Sequence, residues 1–331
     1  MKTFISNLTL KSIVLGFGLA FLLGVHHGSV NAQVGSFPNR PIKIIVPFVP
    51  GGTLDSVARL LAKHLTDTLP QPVIVDNKGG GGGIVGVDYV AKSAPDGYTM
   101  VFNAATPMVT VVSLQKTPYD VVKDLAALNQ VATFDYILAV NAKSPIRTIE
   151  ELIQLAKKEP NHYNYSSAGN GSGQHLYMEL AKSVAGIQLQ NIPYKGNGPA
   201  MQALLASEVD CMFDTSALLP LVQSHRLRAL MTSSAKPLPG FPGVPTIESL
   251  FPGSSIQGWN GAFVPAGTPK EIQLFLSDAI RKAVLSADMS AKLRDLGMEP
   301  SSVAMEGFGE IVKRDLERWG KIIRDNNIKA D

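Results

Sequence analysis

The sequence predicts an α/β fold of two lobes, each a mostly parallel sheet flanked by helices. Three observations carry this expectation. Apolar strand-like runs alternate with amphipathic helical segments along most of the chain, the pattern of α/β layers. Two glycine-rich loops, Pro47-Phe48-Val49-Pro50-Gly51-Gly52-Thr53 and Ser166-Ser167-Ala168-Gly169-Asn170-Gly171-Ser172-Gly173, each follow a strand-like run and open a helix. The helices that close the chain have no strands to make a third domain, so they return to the first lobe.

In chain order, residues 1–32 read as an export signal. Lys2 and Lys11 form a basic start, 13–25 an apolar run, and Val30-Asn31-Ala32 a small-residue cleavage site. The apolar run is shorter than the roughly 20 residues a membrane span needs. The mature chain is therefore expected outside the cytoplasm and not embedded in the membrane. Removing two lysines and no acid lowers the formal net charge from +3 to +1. The remaining charges are dispersed, which argues against a nucleic-acid footprint. Cys211 is the single cysteine, so no internal disulfide is available, and it reads as a small buried hydrophobe on a strand.

The first strand is expected over 42–48, followed by a helix over 55–69 with Val57, Ala58, Leu61, Leu65 and Leu69 on one face. A strand over 73–76, a helix over 84–92, a turn at Pro95-Asp96-Gly97 and a strand over 98–103 complete a βαβαβ unit. Residues 130–142 read as one long extended segment. Thr148 and Glu151 form a capping box for the next helix. Strands over 163–167, 190–194, 209–213 and 227–232 alternate with helices at 172–185, from Pro199, and at 217–225. After a Pro/Gly-rich stretch, 237–252, comes an extended run, 256–264, and helices at 269–287, 291–297 and 307–326. The expected lobes are 33–133 with 255–331, and 134–254. The chain crosses between them near 131–138 and 252–260.

The two glycine loops read as paired anion sockets. The first-turn amides of a helix and the positive end of its dipole hold a carboxylate or phosphate without Lys or Arg. Both loops follow strands, and open α/β sheets bind ligands beyond the carboxyl ends of their strands. A ligand gripped in a cleft between lobes follows.

At these loops the chain resembles the tripartite tricarboxylate transporter receptors, or Bug extracytoplasmic solute receptors. The resemblance runs from Pro41 to Ile328. It is carried by Ile44-Ile45-Val46-Pro47-Phe48 with Pro50-Gly51-Gly52 and Asp55, Ala58-Arg59, Pro95-Asp96-Gly97-Tyr98-Thr99, and Tyr165-Ser166-Ser167-Ala168-Gly169 with Gly171-Ser172 and His175-Leu176. Pro193-Tyr194-Lys195-Gly196 with Pro199-Ala200, Gly243-Val244-Pro245-Thr246, and Trp259-Asn260-Gly261 with Pro265-Ala266-Gly267-Thr268-Pro269 complete it. The resemblance implies a periplasmic binding protein with a type II Venus-flytrap fold, which passes a small carboxylate to membrane transporter subunits or a sensor kinase. It implies ligand contacts at Gly51, Gly52, Thr53 and Asp55 in one lobe, and at Ser167, Ala168, Gly169 and Ser172 in the other. Where the family has a small residue in the loop after the second strand, this chain has an unbroken Gly79 to Gly83. A monomer is expected, with no cofactor.

Other side chains have two readings each. Phe48 is expected to line the ligand body, and Phe134, Tyr136, Tyr194 and Trp259 are either cleft or core aromatics. Asp55 either caps its helix or orients loop and waters, since an acid aimed at an anionic ligand would repel it. Asp214 either orders the cleft or forms a turn. His175 is a packed residue beneath its loop or a ligand contact. Gly81-Gly82-Gly83-Ile84-Val85-Gly86 fits G-x-G-x-x-G, but the following strand ends in Asn103 rather than the acid a dinucleotide site wants. No serine lies at the centre of G-x-S-x-G, although Ser166, Ser167, Ser172, His175 and Asp214 are the raw materials of a hydrolase. The histidines outside the signal show no H-x-x-x-H pairing, so no metal is expected.

Overall fold

The computed structural model describes residues 37–329; the expected signal at 1–32 lies outside the described residues. The first unit runs β1 (Ile42–Val46), α1 (Thr53–Thr68), β2 (Val73–Asn77), α2 (Ile84–Ala91) and β3 (Thr99–Ala104). A π-type turn, Thr106–Thr110, then leads into the short α3 (Val111–Leu114), β4 (Leu125–Phe134) and β5 (Tyr136–Asn141). The middle of the chain supplies α4 (Ile149–Lys158), β6 (Asn164–Ser167), α5 (Gly173–Ala185), β7 (Gln190–Pro193), α6 (Asn197–Leu205), β8 (Cys211–Thr215), α7 (Leu219–Gln223) and β9 (Leu227–Thr232). The last part adds α8 (Ile247–Leu250), β10 (Gly258–Pro265), α9 (Lys270–Val284), α10 (Ala287–Asp295), β11 (Glu299–Pro300) and α11 (Met305–Asp325).

Two sheets organise these elements, in the orders β11-β4-β10-β3-β1-β2 and β7-β6-β8-β5-β9. The two-lobe α/β fold is present, with each sheet mixed. Pairing is parallel for β2, β1 and β3 and for β7, β6 and β8, but antiparallel wherever β4, β10, β5 or β9 takes part. Parallel neighbours need a long crossover, usually a helix. β4 passes directly to β5 in the other sheet, and β9 leads back to β10 through a stretch that includes the short α8.

The extended segment expected over 130–142 is two strands of different sheets, broken at Asp135. Asp135 accepts from Gln257 Nε2 at 3.2 Å and from Ser233 Oγ at 3.4 Å. It thereby ties the first crossover to the second. Arg318 on α11 secures the second crossover further, donating to the carbonyls of Ser255 at 2.8 Å and Gly253 at 3.0 Å. The capping box at Thr148 and Glu151 forms as expected, and Cys211 is buried on β8.

One apolar cluster spans both sheets. Tyr136 at the start of β5 stacks on Tyr177 of α5 at 4.1 Å between ring centroids, and Tyr177 meets Trp319 of α11 edge-on at 5.2 Å. Trp259 of β10 packs edge-on against Phe308 at 5.0 Å and donates its indole N–H to the buried Asp315 at 2.9 Å. Aromatic pairs of this kind contribute about 0.5–1.5 kcal/mol beyond area burial.

Candidate functional site

Asp55 decides the shape of the first loop. It sits in the first turn of α1, 4 % exposed, because the β1–α1 loop folds back over it. Its Oδ2 accepts from the Gly51 amide and from Arg59 Nε, both at 2.9 Å, and its Oδ1 accepts from Asn77 Nδ2 at 2.9 Å. Asn77 also donates to the Phe48 carbonyl at 3.0 Å. Burial alone would raise the carboxyl pKa, but the hydrogen bonds from Arg59, Gly51 and Asn77 outweigh it and bring it down to about 2. Asp55 is thus a loop-orienting acid turned inward. The Gly51 amide is spent on it, while α1 opens on Gly52 with no side-chain cap, so its first-turn amides remain to meet an anion.

The second loop is held by a different set of bonds. Ser172 caps α5 by accepting from the His175 amide at 3.4 Å. His175 returns the constraint, its Nδ1 accepting from the Gly171 amide at 3.0 Å and its Nε2 lying 3.8 Å from Glu179. Ser167 Oγ donates to Asn191 Oδ1 at 2.8 Å, and Asn191 donates to Asn170 Oδ1 at 2.9 Å. Ser167 is fully buried and His175 is 7 % exposed. These side chains brace the loop. Ala168, Gly169 and the Gly173 end of α5 present backbone. Asp214 of β8 is buried, accepting from the Thr215 amide at 2.8 Å and from Asn197 Nδ2 at 2.9 Å. Burial raises its pKa despite these bonds.

The 79–83 loop and the second glycine loop both approach the 106–114 segment. A side chain at Gly83 would press on Pro107 and Phe48, and one at Gly171 would meet Leu114. Beside this segment lies a cavity of about 540 Å³, within the usual range of small-molecule sites. It is walled by Thr53 and Leu54 of α1, Ala104 at the end of β3, Phe134 and Tyr136 at the crossover, Thr215 and Ser216 after β8, and the 294–298 turn after α10. It therefore lies at the carboxyl ends of β3 and β8, where such sheets bind ligands. A larger depression of about 720 Å³, lined by Arg40, Lys43, Tyr89 and Tyr98, lies at the opposite strand ends and takes in neither loop.

Of the residues expected to bind, Thr53 lines the cavity itself. Gly51, Gly52 and Asp55 build the turn that positions it, and Asp214 holds the adjacent Thr215. Phe48 sets its ring against Gly83 and is not among the cavity's lining residues. Ser167, Ala168, Gly169, Ser172 and His175 are not among its lining residues, but Tyr136, which is, has its hydroxyl so close to Gly173 that a Cβ there would approach it to 2.0 Å. Burial, then the charge of Asp214, pushes that hydroxyl's pKa well up.

The structure adds Leu54, Ser216, Arg294, Gly297 and Met298, which no motif marked. Ser216 Oγ donates to the Gly297 carbonyl at 2.5 Å, joining the end of β8 to the turn after α10. Gly297 has φ +73°, and any Cβ there would strike Ser216 Oγ, so glycine is required on two counts. In the 79–83 loop, Gly80 to Gly83 all have positive φ, which makes this a glycine-only turn before α2. A side chain at Gly86 would collide with Pro47 and the Lys78 carbonyl. The G-x-G-x-x-G match is accounted for by this tight turn and close helix–strand approach. Among the described residues no three His, Cys, Asp or Glu side chains gather as a metal site, and no helix is long and apolar enough to cross a membrane.

Comparison with known proteins agrees with this architecture. Residues 57–328 match the family described as "Tripartite tricarboxylate transporter family receptor". Protein BugT of Bordetella pertussis is 34 % identical over 98 % of this chain and 99 % of its own. Among solved structures, Rpa4515 of R. palustris with adipate superposes with a TM-score of 0.75 at 30 % identity, covering 89 % of this chain and 100 % of that one. MatC from Rhodopseudomonas palustris with bound malate gives 0.71 at 29 % identity, covering 87 % and 100 %. With its two mixed sheets, its glycine-opened helices and a match over most of its length, the chain belongs to the tripartite tricarboxylate transporter receptor family of periplasmic solute-binding proteins.

Proposed function

We propose that this chain is a periplasmic receptor that captures a small carboxylate between its lobes and delivers it to a tripartite tricarboxylate-type membrane transporter. The observation that carries the reading is the 540 Å³ cavity walled by the uncapped first turn of α1. There, backbone amides and the positive helix end meet an anion without a competing side chain. Adipate and malate in the two R. palustris relatives support an acid as ligand. The lobes are taken as 33–133 with 255–331, and 134–254, hinged at the crossovers that Asp135 and Gln257 tie together. Gly51, Gly52, Thr53 and Asp55 form one side of the site. Ser167, Ala168, Gly169, Ser172, His175 and Asp214 shape the other, and Phe48 backs the first loop. Ligand binding shifts the open and closed populations, and the partner reads the closed form. Residues 1–32 direct export and the receptor acts as a monomer without cofactor.

A thermal-shift panel of mono- and dicarboxylates, aromatic acids, sugars and nucleotides tests this. At 100 times its dissociation constant a bound acid stabilises the native state by about 2.7 kcal/mol. Stabilisation by acids alone is expected. A sugar or nucleotide that stabilises the protein while every acid is silent overturns the ligand class.

A further inference from the structure

We propose that Arg294 is the specificity determinant of the cavity, the side chain that holds a second, remote anionic group on the ligand. This rests on the receptor reading above. Among the residues lining the 540 Å³ cavity, Arg294 is the one fixed positive charge. Its ion pair is loose: Nε lies 3.4 Å from Glu299 Oε2, and the side chain is 57 % exposed. That bond engages the inner nitrogen and leaves the terminal guanidinium nitrogens for another acceptor. A guanidinium in this state is a planar fork matched to a carboxylate.

The rest of the cavity explains why a second charge is wanted. The first turn of α1, on another wall, satisfies one carboxylate through amides alone. Leu54, Ala104, Phe134, Leu296 and Met298 leave an apolar middle that suits a short carbon chain. A monoacid lying there would satisfy the amides and leave the guanidinium with solvent. The Ser216 to Gly297 hydrogen bond of 2.5 Å docks the 294–298 turn on the end of β8, which fixes where Arg294 stands. Asp295 is the opposing feature, since it also lines the cavity and would repel a remote anion. Neighbours one residue apart on a helix point in different directions, so Asp295 tempers the preference for a diacid without cancelling it.

Isothermal titration with chain-matched pairs, adipate against hexanoate and succinate against butyrate, tests the assignment. The unsubstituted protein is expected to bind at least one diacid about tenfold or more tightly than its monoacid. Arg294→Gln should lower that diacid affinity by about tenfold or more and leave the monoacid within about twofold. Arg294→Lys should keep part of the preference, because a point charge lacks the fork, and Asp295→Asn should tighten the diacid. An unchanged melting midpoint of ligand-free Arg294→Gln shows that the comparison reads binding and not folding. Equal weakening of diacid and monoacid, or a preference that survives Arg294→Gln, overturns the assignment. If monoacids bind the unsubstituted protein as tightly as diacids, the receptor reading stands and the role of Arg294 falls. If no acid binds at all, both fall.

Discussion

Replacing Asp55 with Asn tests how the first loop is held. In the native protein one carboxylate serves three donors, Gly51 N, Arg59 Nε and Asn77 Nδ2. A carboxamide offers one acceptor, so at least one donor loses its partner or faces another donor. An unsatisfied buried donor costs about 1–3 kcal/mol. The charge adds a pH-dependent part. A pKa lowered from 3.8 to about 2 corresponds to about 2 kcal/mol at full weight. Arg59 stands half in solvent, 52 % exposed, and screening reduces this to about 1 kcal/mol. The sign follows from linkage. The folded pKa is depressed, so this contribution is complete above the unfolded value near 4, about half gone near pH 3, and lost below about 2. Urea unfolding of both proteins at pH 7 and at pH 3 is the assay. Asp55→Asn should be about 2–3 kcal/mol less stable at pH 7, with the gap narrowing at pH 3, and its acid affinity should fall as the loop loosens. Equal stability at pH 7, or a gap that does not change with pH, refutes the reasoning.

Gly173→Ala should destabilise by about 1–3 kcal/mol through overpacking against Tyr136. Adding Tyr136→Phe, which removes the hydroxyl, should recover part of the loss in melting experiments. Gly297→Ala combines a positive φ with a clash on Ser216 Oγ and should lower both the melting midpoint and acid affinity, whereas Ser216→Ala should cost only about 0.5–1.5 kcal/mol for one hydrogen bond. Burial raises the pKa of Asp135, against the hydrogen bonds from Gln257 and Ser233. Ionisation therefore opposes folding as pH climbs from the ordinary aspartate value through the raised one. Asp135→Asn should remove that slope from a melting-temperature profile, and an unchanged slope would count against it.

Much of the fold was legible because its elements are separately amphipathic. The α1 face of Val57, Ala58, Leu61 and Leu65 is buried as its spacing requires, and β9 lies where its apolar run placed it. A crossing near 131–138 was expected, but not the division of 130–142 into two strands at Asp135, since strands on either side of a sheet change share one apolar run and only long-range pairing separates them. β11 has two residues and no pattern to show. At the site, glycine spacing marked the loops that open α1 and α5, and the start of α1 lines the cavity. That spacing did not reveal that Ser167 bonds Asn191 and His175 bonds the Gly171 amide, because side-chain direction in a loop depends on partners such as Asn191 that lie elsewhere in the chain. Arg294 and Gly297 were hidden for the opposite reason: a helix C-terminus ending in glycine looks the same whether or not a cavity lies beside it.

The position of β10 has a consequence in time. It sits between β3 and β4 and pairs with both, yet it follows them by more than a hundred residues, whereas every strand of the other sheet comes from the unbroken stretch 136–232. Closing so long a loop is slow. The inserted half should therefore acquire hydrogen-exchange protection early during refolding, with β3 and β4 unprotected until the carboxyl third of the polypeptide arrives. Until then the amino-terminal half lacks the strand that joins β3 to β4.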